Sequence, residues 1–86
     1  MIRVEFYEGA RQLAGVASVE VDAHTLGAAL SAAASRFPAL EPRVIVGDRL
    51  APHWRASLNG QHWIEEPQTA LAPGDAVVLV SALAGG

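Results

Sequence analysis

The sequence predicts an α+β roll: a mixed sheet of four to five strands with one main helix packed across it, all within a single domain of 86 residues. Three observations predict it. Apolar and polar residues alternate over 2–7 and again over 17–21, apolar residues recur at helical spacing over 26–37, and an unbroken apolar run covers 76–80. A chain of this length buries only about 60 to 65 % of its unfolded surface, so there is room for one core and no second domain.

Each element has its own reason. Ile2, Val4 and Phe6 alternate with Arg3, Glu5 and Tyr7, so the first strand covers 2–7 with one buried face. Gly9 and Gly15 bracket a broad connection with room for about one helical turn, and Ala17, Val19 and Val21 complete a first hairpin. Thr25 offers a side-chain oxygen for a helix N-cap. Leu26, Ala29, Leu30, Ala33 and Phe37 then form one apolar stripe. Pro38 ends that helix, because the residue before a proline is pushed out of helical dihedrals. Residues 39–52 mix proline, glycine and charge around Val44-Ile45-Val46 and read as a long crossing connection with at most one short strand. Residues 55–58 and 61–64 flank Asn59-Gly60, the strongest short-range hairpin signal, since both turn positions tolerate positive φ. Leu71 is a core contact, and Pro73-Gly74-Asp75 turns the chain into the final strand. That strand is apolar on both faces, as expected of a central strand parallel to the first, covered by the helix on one side and by something further on the other.

Composition removes several chemistries. Without cysteine there is no thiolate nucleophile, disulfide or zinc ribbon. All six basic residues are arginine, so there is no Walker-type phosphate loop and no Schiff-base lysine. The net charge of −3 leaves no basic face for nucleic acid and disfavours anionic membranes. No apolar run reaches the roughly 18 residues of a spanning helix. Met1-Ile2-Arg3-Val4 enters a strand pattern at once, without the regions of a secretion signal, so a cytoplasmic location is the expectation.

Directly after the last strand signal comes Leu83-Ala84-Gly85-Gly86, and residues 81–86 are expected to form a flexible tail. Glycine has no Cβ, so such an end can be drawn into a channel too narrow for other residues, and its carbonyl can be attacked from either face. This suggests a carboxylate that is put to use. The plainer alternative is an inert end, since glycine termini commonly fray.

Read together, Val4-Glu5-Phe6, Arg11-x-x-Ala14-Gly15, Thr25-Leu26, Phe37-Pro38, Leu58-Asn59-Gly60, Leu71-x-Pro73-Gly74-Asp75-x-Val77 and Gly85-Gly86 resemble the MoaD/ThiS family of sulfur carriers over essentially the whole chain. The resemblance implies a ubiquitin-like β-grasp fold and a protein that is a carrier and not an enzyme. It implies that a ubiquitin-activating-type adenylyltransferase uses ATP to adenylate Gly86, that a sulfurtransferase or persulfide converts the adenylate to a thiocarboxylate, and that an acceptor synthase takes the sulfur. Leu83, Ala84 and Gly85 would thread into the partner's active site, and no cofactor would be bound by the chain itself. The chemistry is coherent: a terminal carboxylate, with a pKa of roughly 3.5, is ionised and a poor electrophile at neutral pH until it is activated.

Carriers that serve molybdopterin synthase usually show a proline pair ahead of the tail. This chain has Ser81-Ala82-Leu83-Ala84 there, closer to carriers for cysteine synthesis, transfer-RNA thiolation or pathway-specific sulfur insertion. Two other readings stand beside the carrier: a modifier joined to target lysines through Gly86, and a binding domain with an inert tail.

Other groupings are weaker. His24, His53 and His62 share no short ligand spacing, so no metal site is expected. Ser81 lacks a nucleophile elbow. Glu65 and Glu66 point to opposite faces if they extend a strand. Trp54 and Trp63 serve either as core packing or as an exposed anchor, and strand parity does not decide between them. Trp63, Arg11 and Arg55 are the candidate partner-facing residues.

Overall fold

Alternation at the start of the chain produces β1 (Ile2–Phe6), in which Ile2, Val4 and Phe6 are fully buried and Arg3 is exposed. The computed structural model describes residues 1–82. Tyr7, predicted as the end of this strand, instead stands at the N-cap of a helix, α1 (Glu8–Ala14), where the sequence suggested a connection of about one turn. The helix has no side-chain cap at its start and is too short to persist on propensity alone. It holds because Ala10 is fully buried and because Gly15, in the left-handed region at φ 79°, donates its N–H to the Arg11 carbonyl at 2.8 Å.

β2 (Ser18–Val21) pairs antiparallel with β1, Val19 opposite Val4. With α1 between them, the two strands are not joined by a tight turn. α2 (Leu26–Arg36) begins where the Thr25 hydroxyl oxygen accepts the Ala28 N–H at 3.2 Å, and it ends before Pro38, which opens a 3-10 turn over Pro38–Leu40. Its Leu26, Ala29, Leu30 and Ala33 are buried against the sheet. The first turn is also held from outside. The Leu26 and Gly27 N–H groups donate to the carbonyls of Thr69 and Pro67 at 3.0 and 2.8 Å. Gly27 is required by that approach, since a Cβ there would stand 3.0 Å from Pro67 Cβ and 3.2 Å from its carbonyl oxygen.

The crossing connection differs from expectation. It holds two short strands, β3 (Ile45–Val46) and β4 (Arg49–Leu50), which form a separate two-stranded sheet. Val44 and Ile45 drive it by inserting into the core with no measurable exposure. Gly47 closes the turn at φ 67°; its N–H donates to Glu41 Oε2 and its carbonyl accepts from Ser31 Oγ, each at 3.0 Å.

β5 (Trp54–Leu58) and β6 (His62–Ile64) form the predicted hairpin around Asn59 and Gly60, at φ 56° and 70°. The last strand, β7 (Ala76–Ser81), is central in the order β2-β1-β7-β5-β6, parallel to β1 and antiparallel to β5. It continues through Ser81, one residue into the segment predicted as tail. Val77 and Leu79 are buried beneath the helices, whereas Val78 and Val80 on the opposite face are half-buried. That opposite face carries Arg3, Glu20, Arg55 and Trp63 by strand register, with an Arg3 Nε to Glu20 Oε2 ion pair of 3.5 Å.

At the end of the sheet where β7 begins, two of the sequence motifs become one network. Asp75 accepts hydrogen bonds from the Ala72 N–H at 2.8 Å and from Asn59 Nδ2 at 3.1 Å, while Asn59 Oδ1 accepts the Ala76 N–H at 2.8 Å. The backbone bond from Ala72, then that from Asn59, hold the Asp75 carboxyl below its usual value. A depressed folded-state pKa contributes stability that is present above the unfolded value and lost as pH falls through the folded one. Denaturant midpoints of the parent are therefore expected to fall below about pH 4, with Asp75→Asn less stable at pH 7 and flatter across that window. A variant as pH-dependent as the parent would remove Asp75 from this role.

Candidate functional site

The site is built around the point where the chain leaves the sheet. Ser81 is paired with Trp54, and the Ala82 N–H donates to the His53 carbonyl at 2.6 Å, so the last described residue is fixed to the start of β5. On its other side β7 runs beside β1, with Leu79 level with Phe6. β1, β5 and β7 thus bring Tyr7, His53 and Val80 to one end of the sheet. Leu83, Ala84, Gly85 and Gly86, the predicted threading and activated residues, lie outside the described residues.

Of the three candidate partner-facing residues, Arg11 and Arg55 stand at this end, and Trp63 lies on the same side of the sheet as Arg55, further in and level with Val78. Trp63 is 53 % exposed, and its face is covered by the Arg55 guanidinium, whose carbon sits 4.1 Å from the indole centroid. Both project from the face that carries Val78 and Val80, because Trp63 opposes Ser57 and Arg55 opposes Val80. Arg11 approaches from α1. Its Nε donates to the Phe6 carbonyl at 3.2 Å, and its guanidinium carbon lies 5.4 Å from the Tyr7 ring centroid. Tyr7 in turn donates from its hydroxyl to Glu5 Oε1 at 3.1 Å. An apolar stripe on β7 is therefore flanked by two arginines, each resting on an aromatic ring that fixes its direction.

Trp54 behaves differently from Trp63. It is half-buried on the core side, packed against the main cluster, and a Cβ at Gly9 would stand 3.8 Å from its ring, so it joins β5 to α1. Of the two tryptophans, Trp63 alone is exposed. Beside them a groove of about 710 Å³ lies between buried Leu26, Leu30 and Ala56 and exposed Arg49, His53 and Glu65. Among the described residues, no three His, Asp or Glu side chains stand close enough to share a metal ion.

Sequence reasoning did not single out Tyr7 or His53 for this end. The alternation of the sequence places Tyr7 in the first strand, which hides its position beside Arg11. The signal for His53 was Pro52 before it, which sets up a turn into β5.

The sequence model of the ThiS family matches residues 4–86. The chain belongs to the ThiS family. This ThiS-family chain is similar to SAMP1, small archaeal modifier protein 1, of Haloferax volcanii, at 31 % identity and a TM-score of 0.83 over 99 % of this chain and 98 % of that one. It shares its fold with CysO in the BexX/CysO complex of Amycolatopsis orientalis (20 % identity, TM-score 0.83, all of both chains). It also shares it with Mycobacterium tuberculosis CysO (22 %, TM-score 0.80, 96 % of this chain and all of that one). No curated protein matches the sequence. The ThiS-family chain thus has the ubiquitin-like β-grasp fold that its motifs implied, and no helix among its described residues is long and apolar enough to cross a membrane.

Proposed function

We propose that this chain is a cytoplasmic sulfur carrier whose Gly86 is adenylated by a ubiquitin-activating-type partner and then converted to a thiocarboxylate. The observation that carries the reading is the central strand. β7 is bound on both sides, and it hands the chain over at Ala82 to Leu83-Ala84-Gly85-Gly86 from an end bearing exposed Arg55 and Arg11, with exposed Trp63 stacked on Arg55. The domain presents the tail, and the chemistry belongs to others. ATP is consumed by the activating partner; a sulfurtransferase supplies the sulfur and a synthase accepts it. No group of this chain acts as a catalyst and no cofactor is held by it. Trp63, Arg11 and Arg55 form the face met by the activating partner, with Leu83, Ala84 and Gly85 threaded into its site.

One observation favours a second reading. The 31 % identity to a small archaeal modifier protein supports attachment of Gly86 to lysines of target proteins. The absence of lysine here means that no side chain of a second copy could be such a target.

Intact mass spectrometry of the chain expressed with the activating enzyme of its own organism separates the readings. Exchange of one oxygen for sulfur, a gain of about 16 Da, is the result expected of a carrier, and amide-linked adducts are expected of a modifier. An unchanged mass overturns both.

A further inference from the structure

Three described residues other than glycine hold a positive φ: Glu8 at 50°, His53 at 74° and Asn59 at 56°. Asn59 is accounted for by its hairpin turn, where both positions require such dihedrals. His53 is not accounted for in that way. It occupies the third position of a four-residue turn closed by the Trp54 N–H donating to the Ala51 carbonyl at 3.2 Å. Pro52 fixes a negative φ at the second position, so positive φ at the third makes a type II turn, the setting in which glycine is favoured. A non-glycine residue there strains the backbone.

The fold gains nothing from the side chain that imposes this strain. The structurally useful group is the His53 carbonyl, which accepts the Ala82 N–H at 2.6 Å and which any residue would supply. The imidazole is exposed, makes no hydrogen bond among the described residues, and lines the groove beside Arg55 and Trp63. It therefore stands at the root of the tail, where an enzyme that encloses the tail must pass.

We propose that the His53 imidazole is a contact residue for the activating partner, hydrogen-bonding that enzyme at the point where the tail enters it. The proposal rests on the carrier reading above. It assigns His53 to recognition and not to chemistry, because the reacting carboxylate of Gly86 is four residues further along the chain than Ala82.

The test compares the full-length parent with His53→Gly and His53→Asn in pyrophosphate exchange with the organism's own activating enzyme. Glycine satisfies the turn and removes the imidazole; asparagine tolerates the same φ and keeps a polar donor. His53→Gly is expected to hold or slightly raise the melting temperature and to lower kcat/KM about tenfold, through KM with kcat nearly unchanged. His53→Asn is expected to recover most of that loss. Parent-like exchange by His53→Gly, a loss confined to kcat, no recovery with asparagine, or a fall of more than about 5 °C in melting temperature would each overturn the assignment. If the parent itself supports no exchange, the carrier reading fails and this inference fails with it. If the parent exchanges and His53→Gly matches it, only the inference fails.

Discussion

Gly85→Val is expected to retain the parent's melting temperature to within about 4 °C while lowering thiocarboxylate formation at least 100-fold. The two effects separate because they reside in different parts of the chain. The described core runs from Ile2 to Leu79 and the last described strand ends at Ser81, both ahead of the substituted residue in the chain. A substitution away from packed and hydrogen-bonded positions is worth no more than about 0.5 kcal/mol. Function is a matter of width. Valine adds a branched side chain, restricts the backbone, and keeps the terminal carbonyl from the roughly 3 to 3.5 Å approach that acyl transfer requires. Melting curves and single-turnover transfer on the same preparations decide it, and retained transfer would mean that the tail is not confined. Deletion of Gly85 and Gly86 should preserve the fold equally and abolish adenylation.

Phe6→Ala is expected to act in the opposite sense, on the fold first. Phe6 is fully buried and meets Phe37 edge-to-face, with centroids 5.9 Å apart and planes at 86°. Truncation to alanine at such a site costs about 3 to 5 kcal/mol, a large share of the roughly 4 to 13 kcal/mol available to a domain of this size. The midpoint of urea unfolding should fall accordingly, with Phe6→Leu much milder. A loss below about 1 kcal/mol would show that the cavity collapses. Phe6 is level with Leu79 on β7. A loosened Phe6 therefore disturbs the strand that presents the tail, and sulfur transfer should decline as the fold does.

The elements legible in the sequence are those whose stability is local or whose pattern is long. β1 follows from alternation, α2 is bounded by Thr25 and Pro38, the β5–β6 hairpin follows from Asn59-Gly60, and β7 was readable as central because its apolar run leaves no solvated face. What escaped depends on distant partners. α1 has no side-chain cap and survives through the burial of Ala10 and a glycine stop. β3 and β4 are two residues each and owe their pairing to Val44 and Ile45 in the core and to Ser31 reaching Gly47 from α2. The candidate surface was half legible. Trp63, Arg55 and Arg11 could be named, but Trp63 could be told from Trp54 only once the register placed it opposite Ser57 on the open face. His53 draws its interest from a backbone dihedral, which composition does not reveal.

The parallel pairing of β1 with β7 also sets the polarity of the domain as an object to be handled. Gly74 donates its N–H to the Met1 carbonyl at 2.9 Å, so Met1 lies at the pole where β7 begins, while Ala82 leaves from the other. The six residues of β7, from Ala76 to Ser81, rise about 17 Å along the strand. A fluorophore, affinity handle or surface linker joined to Met1 is thereby held a strand's length from Ala82, and molecules tethered through that pole to a sensor would all present the exit of β7 outward, towards an enzyme in the flow.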